Sequence, residues 1–279
     1  MKLSLFTAAA PDLEPEPTAQ LLAEQGWDGV EWRVTDQRPA DQPGFWAGNR
    51  ATWPLTGLED SLDEIRRITD AAGLEISGIG GYVRCTDHEG VERMLSATAK
   101  LGAPRVRVTV PGVQPGESYR EVFARARDDY AFVADRAGEL GVQALVELHH
   151  GTITASASAA FRLLDGLDPE AVGVIHDLGN LLFEGQENPR WAFDLLGPYL
   201  AHVHVKNGVW RPTGTDEAGV THWEHGWATL RGGIADVADY VDALKEHGYD
   251  GWITCEDFST ELPQTERLAD DLAYLRSLL

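Results

Sequence analysis

Four segments of the chain end in groups able to bind a cation or move a proton. They are Ala144-Leu145-Val146-Glu147-Leu148-His149-His150, Val174-Ile175-His176-Asp177, His202-Val203-His204-Val205-Lys206 and Ile253-Thr254-Cys255-Glu256-Asp257. In each, a carboxylate or an imidazole follows apolar residues. One such residue would usually be a salt-bridged core polar group. Four in succession point to a built site. Glutamate, aspartate, histidine and a second glutamate converging on one point would give an oxygen-and-nitrogen site without soft thiolate. Such a site suits one divalent ion, Mn²⁺, Mg²⁺ or Co²⁺, and Zn²⁺ is also compatible. Three carboxylates offset the ion's charge, and an octahedral ion keeps positions open for water and substrate. A strand period of two puts Glu147 and His149 on one face, and His202, His204 and Lys206 on another.

To converge, these segments must be strands that end at one rim. Short β-branched runs alternate with helical patterns along the whole chain. The expected strands are 3–7, 29–33, 74–79, 105–110, 142–148, 172–176, 202–206 and 252–255. The expected helices are 17–25, 58–72, 88–101, 119–140, 155–164, 188–196, 234–246 and 264–278. Leu58, Leu62, Ile65 and Ile68 recur at helical spacing, and Gly73 stands just past that helix. Eight strands alternating with eight helices predict an α/β fold, a single (β/α)8 TIM barrel over residues 1–279. Such a barrel needs roughly 250 residues. A doubly wound open sheet is the rival. It usually carries a Gly-rich phosphate loop after the first strand, where this chain has Ala8-Ala9-Ala10-Pro11. In a barrel, the ends of strands five to eight would share the active-site face.

Composition narrows the ligands. The chain has 45 acidic and 23 basic side chains and a formal charge of −22. A nucleic-acid partner requires a basic footprint, and an anionic membrane surface is disfavoured for the same reason. Hydrophobic residues make up 43 %, enough for a sizeable core. No apolar run reaches membrane-spanning length, and the first residues are too short a run for a secretory signal. Cys85 and Cys255 form neither a disulfide framework nor a CxxC pair. The expected location is cytoplasmic.

The residues also carry a likeness. Gly29-Val30-Glu31, Val146-Glu147-Leu148-His149, Asp177-Leu178-Gly179-Asn180, His202-Val203-His204-Val205-Lys206-Asn207 and Gly248-Tyr249-Asp250-Gly251 before Glu256 together resemble the sugar phosphate isomerase/epimerase family, the xylose isomerase-like TIM barrels. The resemblance covers nearly the whole chain. It implies a divalent metal held by Glu147, Asp177, His204 and Glu256, with Glu147 and Glu256 also moving protons. Two features depart from ketose epimerases of that family. Asn180 stands where a His is usual, and Arg211 is about one position out of register for their substrate arginine. His149-His150-Gly151-Thr152 is instead similar to a His-x-Gly-Thr segment of the family's inosose dehydratases.

A substrate chelated through adjacent carbonyl and hydroxyl oxygens has an acidified C–H, and a Lewis acid steadies the enediolate that forms. Reprotonation gives an epimer or isomer, whereas loss of a β-hydroxyl gives a dehydration. The leading expectation is a metal-dependent isomerase or epimerase of a small, non-phosphorylated sugar, keto-sugar or polyol derivative. A lyase of inosose-dehydratase or 3-dehydroshikimate-dehydratase type is the first alternative, and a non-catalytic sugar-binding barrel the second. His149 is a substrate-binding or acid candidate, or else a core histidine. Lys206 either stabilises an oxyanion or pairs with Glu256. His176 and His202 read as structural. Glu31 and Arg33 are either a buried pair or a polar wall of the pocket, and Asn180, Trp210 and Arg211 are further substrate-contact candidates. Trp32, Trp46, Trp53, Trp210, Trp223 and Trp227 lie in or near two loops at the active-site face, and at least one is expected to wall a carbohydrate site. Segment 207–227 is long for a barrel loop and reads as a lid. A homo-oligomer is compatible with this type of barrel.

Overall fold

The computed structural model describes residues 1–279. Eight parallel strands close on themselves: Lys2–Phe6, Gly29–Val34, Glu75–Gly81, Arg105–Arg107, Gln143–Glu147, Val172–Asp177, Leu200–Val205 and Trp252–Cys255. Closure is direct. The first strand pairs with the second through Phe6 and Glu31, and with the eighth through Leu3 and Ile253. The fold is a closed (β/α)8 TIM barrel. No helix is long and apolar enough to cross a membrane.

The helices wrap the outside because alternate strand residues point at them. Val30, Trp32, Val203 and Val205 belong to the large buried apolar cluster between strands and helices. The Trp32 indole also donates to Thr69 Oγ1 on the second long helix, Leu58–Ala72. That helix stops at Gly73, whose φ of 69° is the left-handed conformation that best suits glycine.

The opposite strand faces fill the barrel, and here the interior is polar. Ser4 bonds Thr254 at 2.7 Å, Thr254 bonds His202 at 2.8 Å, and His202 bonds Glu31 at 3.0 Å. This hydrogen-bonded column rises towards the C-terminal rim. Buried charge of this kind persists only when paired and hydrogen-bonded.

Four stretches differ from the sequence expectation. The third strand runs on to Gly81, whereas regular pairing of the fourth stops at Arg107. Beyond it, Thr109 bridges only to Arg84. Between the second strand and the helix Leu58–Ala72, where no strand is expected, Thr52–Trp53 adds a short one beside Val34. Segment 207–227 is an antiparallel hairpin, Asn207–Thr215 against Thr221–Ala228. Its Val-, Thr- and Trp-rich arms carry β-propensity, and the Asp216–Gly219 turn joins them.

Candidate metal centre and catalytic cavity

Strands five to eight bring Glu147, Asp177, His204 and Glu256 together at the C-terminal rim, all buried. One potential ligand atom from each lies within 4.8 Å of those of the other three. Asp177 and His204 are direct neighbours in strand register. Each side chain is oriented by a separate contact. Asp177 caps the short helix Leu178–Leu181, with Oδ1 accepting from Asn180 N–H at 2.9 Å, which leaves Oδ2 for the cluster. Glu147 Oε2 accepts from Arg107 Nη1 at 2.5 Å, and Oε1 from Asn180 Nδ2 at 3.3 Å. Glu256 Oε2 and Asp177 Oδ2 both accept from the Lys206 ammonium.

His204 defines the centre. Its Nε2 is 2.9 Å from Glu31 Oε2. Its Nδ1 points the other way, 3.2 Å from Glu256, 3.5 Å from Glu147 and 3.8 Å from Asp177. That Nδ1 is buried and has no hydrogen-bond partner. A carboxylate only accepts, so Glu31 keeps a proton on Nε2; in the neutral ring the lone pair is then on Nδ1, and an ion there would take the place of the second proton that the acidic surroundings favour. Four carboxylates (Glu31, Glu147, Asp177 and Glu256) face two fixed cations, Arg107 and Lys206, an excess of two that is met without an ion by holding protons on Asp177 and His204. An unpartnered ring nitrogen, three converging carboxylates and that excess charge all fit a divalent ion.

The local pKa values express the same imbalance. Burial and the nearby charges of Glu256 and Glu147 push Asp177 up to about 8, against the pull of Lys206. Burial opposes ionisation of Glu147, but Arg107, and then His204, hold it well below the usual carboxylate range. Burial disfavours a charged His204, yet Glu256 and Glu31 outweigh it and hold the ring above its ordinary value. Burial takes His202 down to about 4 despite Glu31, so that ring is neutral.

A cavity of about 460 Å³ opens over the cluster. Glu147, Glu256, Lys206, Asn180 and His149 line it, as do Arg107, Tyr82, Phe6, His150 and His225. His149 Nδ1 lies 2.7 Å from the His150 carbonyl, which can only accept. The proton is therefore on Nδ1, and Nε2 carries a lone pair. Of the six tryptophans, Trp46 and Trp227 wall the cavity. Both pack against Phe258, Trp46 tilted at 4.6 Å and Trp227 edge-on at 5.5 Å between centroids. Trp32 and Trp53 are core residues, and Trp223 is exposed on the hairpin.

Several expected substrate contacts lie elsewhere. Glu31 is neither paired with Arg33 nor a wall of the cavity; it lies beneath, bonded to His202 and His204. Arg33 bonds Thr52 and Gln37 and stacks on Tyr82 from outside the cavity. Trp210 donates to Leu182 O and packs on Phe183 and His225, and Arg211 is exposed, so neither lines the cavity. The hairpin geometry explains this, because its second arm, through His225 and Trp227, faces the barrel mouth. His176 is structural, bonded to Tyr240 at 2.7 Å, and Lys206 pairs with Glu256 and additionally with Asp177.

Sequence reasoning missed Arg107 and Tyr82. Arg107 Nε donates to Gly81 O, Nη1 holds Glu147, and Nη2 is buried without a partner at the cavity wall. Its guanidinium lies 4.3 Å from the Tyr82 ring centroid. The available signal was the Arg-Val-Arg alternation of the fourth strand, where Arg105 and Arg107 share the face opposite Val106 and so both enter the barrel.

The closed eight-stranded barrel thus brings three carboxylates and an imidazole, a candidate metal site, together at its C-terminal rim beneath a cavity. The chain belongs to the xylose isomerase-like TIM barrel family, whose model matches residues 19–278. An inosose dehydratase of Lacticaseibacillus casei is 32% identical over 131 residues. That segment is 44% of this chain and 43% of the relative, so the likeness spans less than half of the curated protein. Solved structures match over the full length with low identity. The IOLI protein with a binding zinc atom has a TM-score of 0.75 at 17% identity, covering 100% of this chain and 98% of that one. The 3-keto-D-glucoside 4-epimerase of E. coli has a TM-score of 0.72 at 18% identity, covering 99% of each chain.

Proposed function

We propose that the protein is a divalent-metal-dependent enzyme that removes a proton beside the carbonyl of a small, non-phosphorylated keto-sugar or keto-cyclitol. Loss of water follows, making it a dehydratase. The observation that carries this reading is the cluster of Glu147, Asp177, Glu256 and His204 Nδ1 beneath a cavity that His149 also lines. These four residues would hold the ion. Mn²⁺, Mg²⁺, Co²⁺ and Zn²⁺ all suit the donors, and the ion would supply Lewis-acid stabilisation of charge developing on a substrate oxygen.

The remaining roles follow from the side chains. Arg107 holds Glu147 as a charged carboxylate, and Lys206 does the same for Glu256, which weakens both as bases. That shifts the proton-transfer role expected of Glu147 and Glu256 towards His149, whose Nε2 lone pair is free. The C–H proton moves to Nε2, the C–OH bond breaks, and the proton returns to the departing oxygen as water forms. Arg107 Nη2 and Lys206 offer N–H groups to substrate oxygens, and Asn180 keeps Glu147 in place. Trp46, Trp227 and Tyr82 would pack against C–H faces of the ring. Both cations at the cavity floor are committed to carboxylates, which supports a substrate without phosphate.

The likeness to inosose dehydratases favours dehydration, and that to an epimerase structure keeps epimerisation as the second reading. Proton NMR of the Mn²⁺-loaded protein with inososes and keto-sugars in D₂O separates them. Loss of water is expected, and His149→Gln should abolish it. Exchange of C–H for C–D without loss of water would establish the epimerase. Neither event with any of these compounds would sink both readings.

A further inference from the structure

The catalytic cavity does not end at Arg107. Tyr82, Thr109, Val110 and Thr152 line it and also line a second cavity of about 770 Å³. The two are parts of one cleft that share a wall. The far part is built by the ends of the third and fourth strand loops and by the start of the long helix Tyr119–Leu140. Each part alone falls in the range of about 300–1,000 Å³ usual for a small-molecule site. A single sugar ring over the metal centre would leave the far part open.

The chemistry of that far part is mixed. Val110, Val122 and Ala126 give it an apolar floor, whereas Arg84, Gln114 and Arg125 give it polar edges. Arg84 is exposed and its guanidinium pairs with no carboxylate of the chain. Glu117, 3.4 Å from Arg125, adds an acceptor to the same wall. A carboxylate there argues against a site for a simple anion. Donors and an acceptor around an apolar patch suit a hydroxylated ring, which has hydrogen-bonding edges and C–H faces. Tyr82 stands at the junction, held by the guanidinium of Arg107 at 4.3 Å and that of Arg33 at 5.1 Å. Its ring is thus a fixed partition between two neighbouring subsites.

We propose that the far part of the cleft is a second sugar-binding subsite and that the natural substrate is a glycoside. The reacting ring sits over the metal centre, and its glycosyl partner lies against Arg84, Gln114 and Arg125. The placement of the reacting ring rests on the function proposed above; binding in the far subsite does not.

Calorimetric titration of the Mn²⁺-loaded protein with D-glucose, maltose, cellobiose and sucrose tests this. At least one disaccharide should bind about tenfold more tightly than glucose, a gain near 1.4 kcal/mol. The exposed double substitution Arg84→Ala, Gln114→Ala should erase that gain and leave glucose binding unchanged. If no disaccharide outbinds glucose, or if the gain survives the double substitution, the subsite is overturned. A disaccharide gain in a protein that fails the D₂O experiment would retain the subsite and refute the reaction. Turnover of single-ring substrates without any gain would do the reverse.

Discussion

The carboxylate of Glu31 lies 2.9 Å from His204 Nε2, on the far side of the ring from Glu147, Asp177 and Glu256. Glu31 comes from the second strand and His204 from the seventh, so the contact crosses the barrel interior. It fixes which ring nitrogen carries a proton and which faces the acidic cluster. Glu31→Gln keeps the shape and an acceptor oxygen but removes the charge. Metal affinity should fall by roughly 10–100-fold, the usual cost of losing such a supporting carboxylate. Competition titration with a chelating dye reads this directly, and unchanged affinity would remove Glu31 from the metal centre.

Chelation tests the centre as a whole. A ligand that binds only the folded chain stabilises it, so EDTA should lower Tm and added Mn²⁺ should restore it. The effect should weaken as pH falls, because His204 Nδ1 and the carboxylates must be unprotonated to bind. A Tm indifferent to EDTA and to Mn²⁺ would rule out the four-residue centre.

Arg107 holds Glu147 well below the usual carboxylate range. Arg107→Met removes the cation and leaves Glu147 buried, so its pKa must rise. Glu147 is needed ionised, so the acidic limb of the kcat/KM profile should move to higher pH. Activity at neutral pH should fall by about 10²-fold or more, the scale of losing one preorganised donor. A uniform loss with an unmoved limb would mean that Arg107 contacts substrate without tuning Glu147.

Gly179 sits beneath Lys206. A Cβ there would lie 2.1 Å from Lys206 Cγ. Gly179→Ala should therefore displace the lysine from its bridge between Asp177 and Glu256. Overpacking of this kind costs about 1–3 kcal/mol, and turnover should fall more than thermal stability suggests. Full activity would show that the bridge is dispensable.

Asp271 is buried on the last helix, Gln264–Leu278. Burial, then the charge of Asp257, raises it to about 9 against the pull of Arg267. Its folded pKa lies above the unfolded value, so its contribution is favourable at low pH. That contribution is lost as pH rises from about 4 towards 9. Asp271→Asn is neutral at every pH and should raise Tm at pH 8 by several degrees, with little gain at pH 4. Differential scanning calorimetry at both pH values decides it, and an equal change at both would disprove a protonated Asp271.

The sequence by itself determined the barrel and the four rim residues. Helix periodicity and glycine stops such as Gly73 are local signals, and Glu147, Asp177, His204 and Glu256 each stand at the end of an apolar strand. Tertiary structure decided the partnerships. Glu31 reads from sequence as a partner of Arg33, two residues away on the same face. Closure of the barrel places it under His202 and His204 instead, more than 170 residues along the chain. Arg107 carried no motif beyond its place on a strand face, and its pairing with Glu147 became visible only when strand four met strand five. Trp210 and Arg211 were displaced from the pocket, and His225 and Trp227 brought into it, by the pairing of two hairpin arms. Spacing along a strand tells which face a side chain takes; only closure of the sheet tells what it meets there.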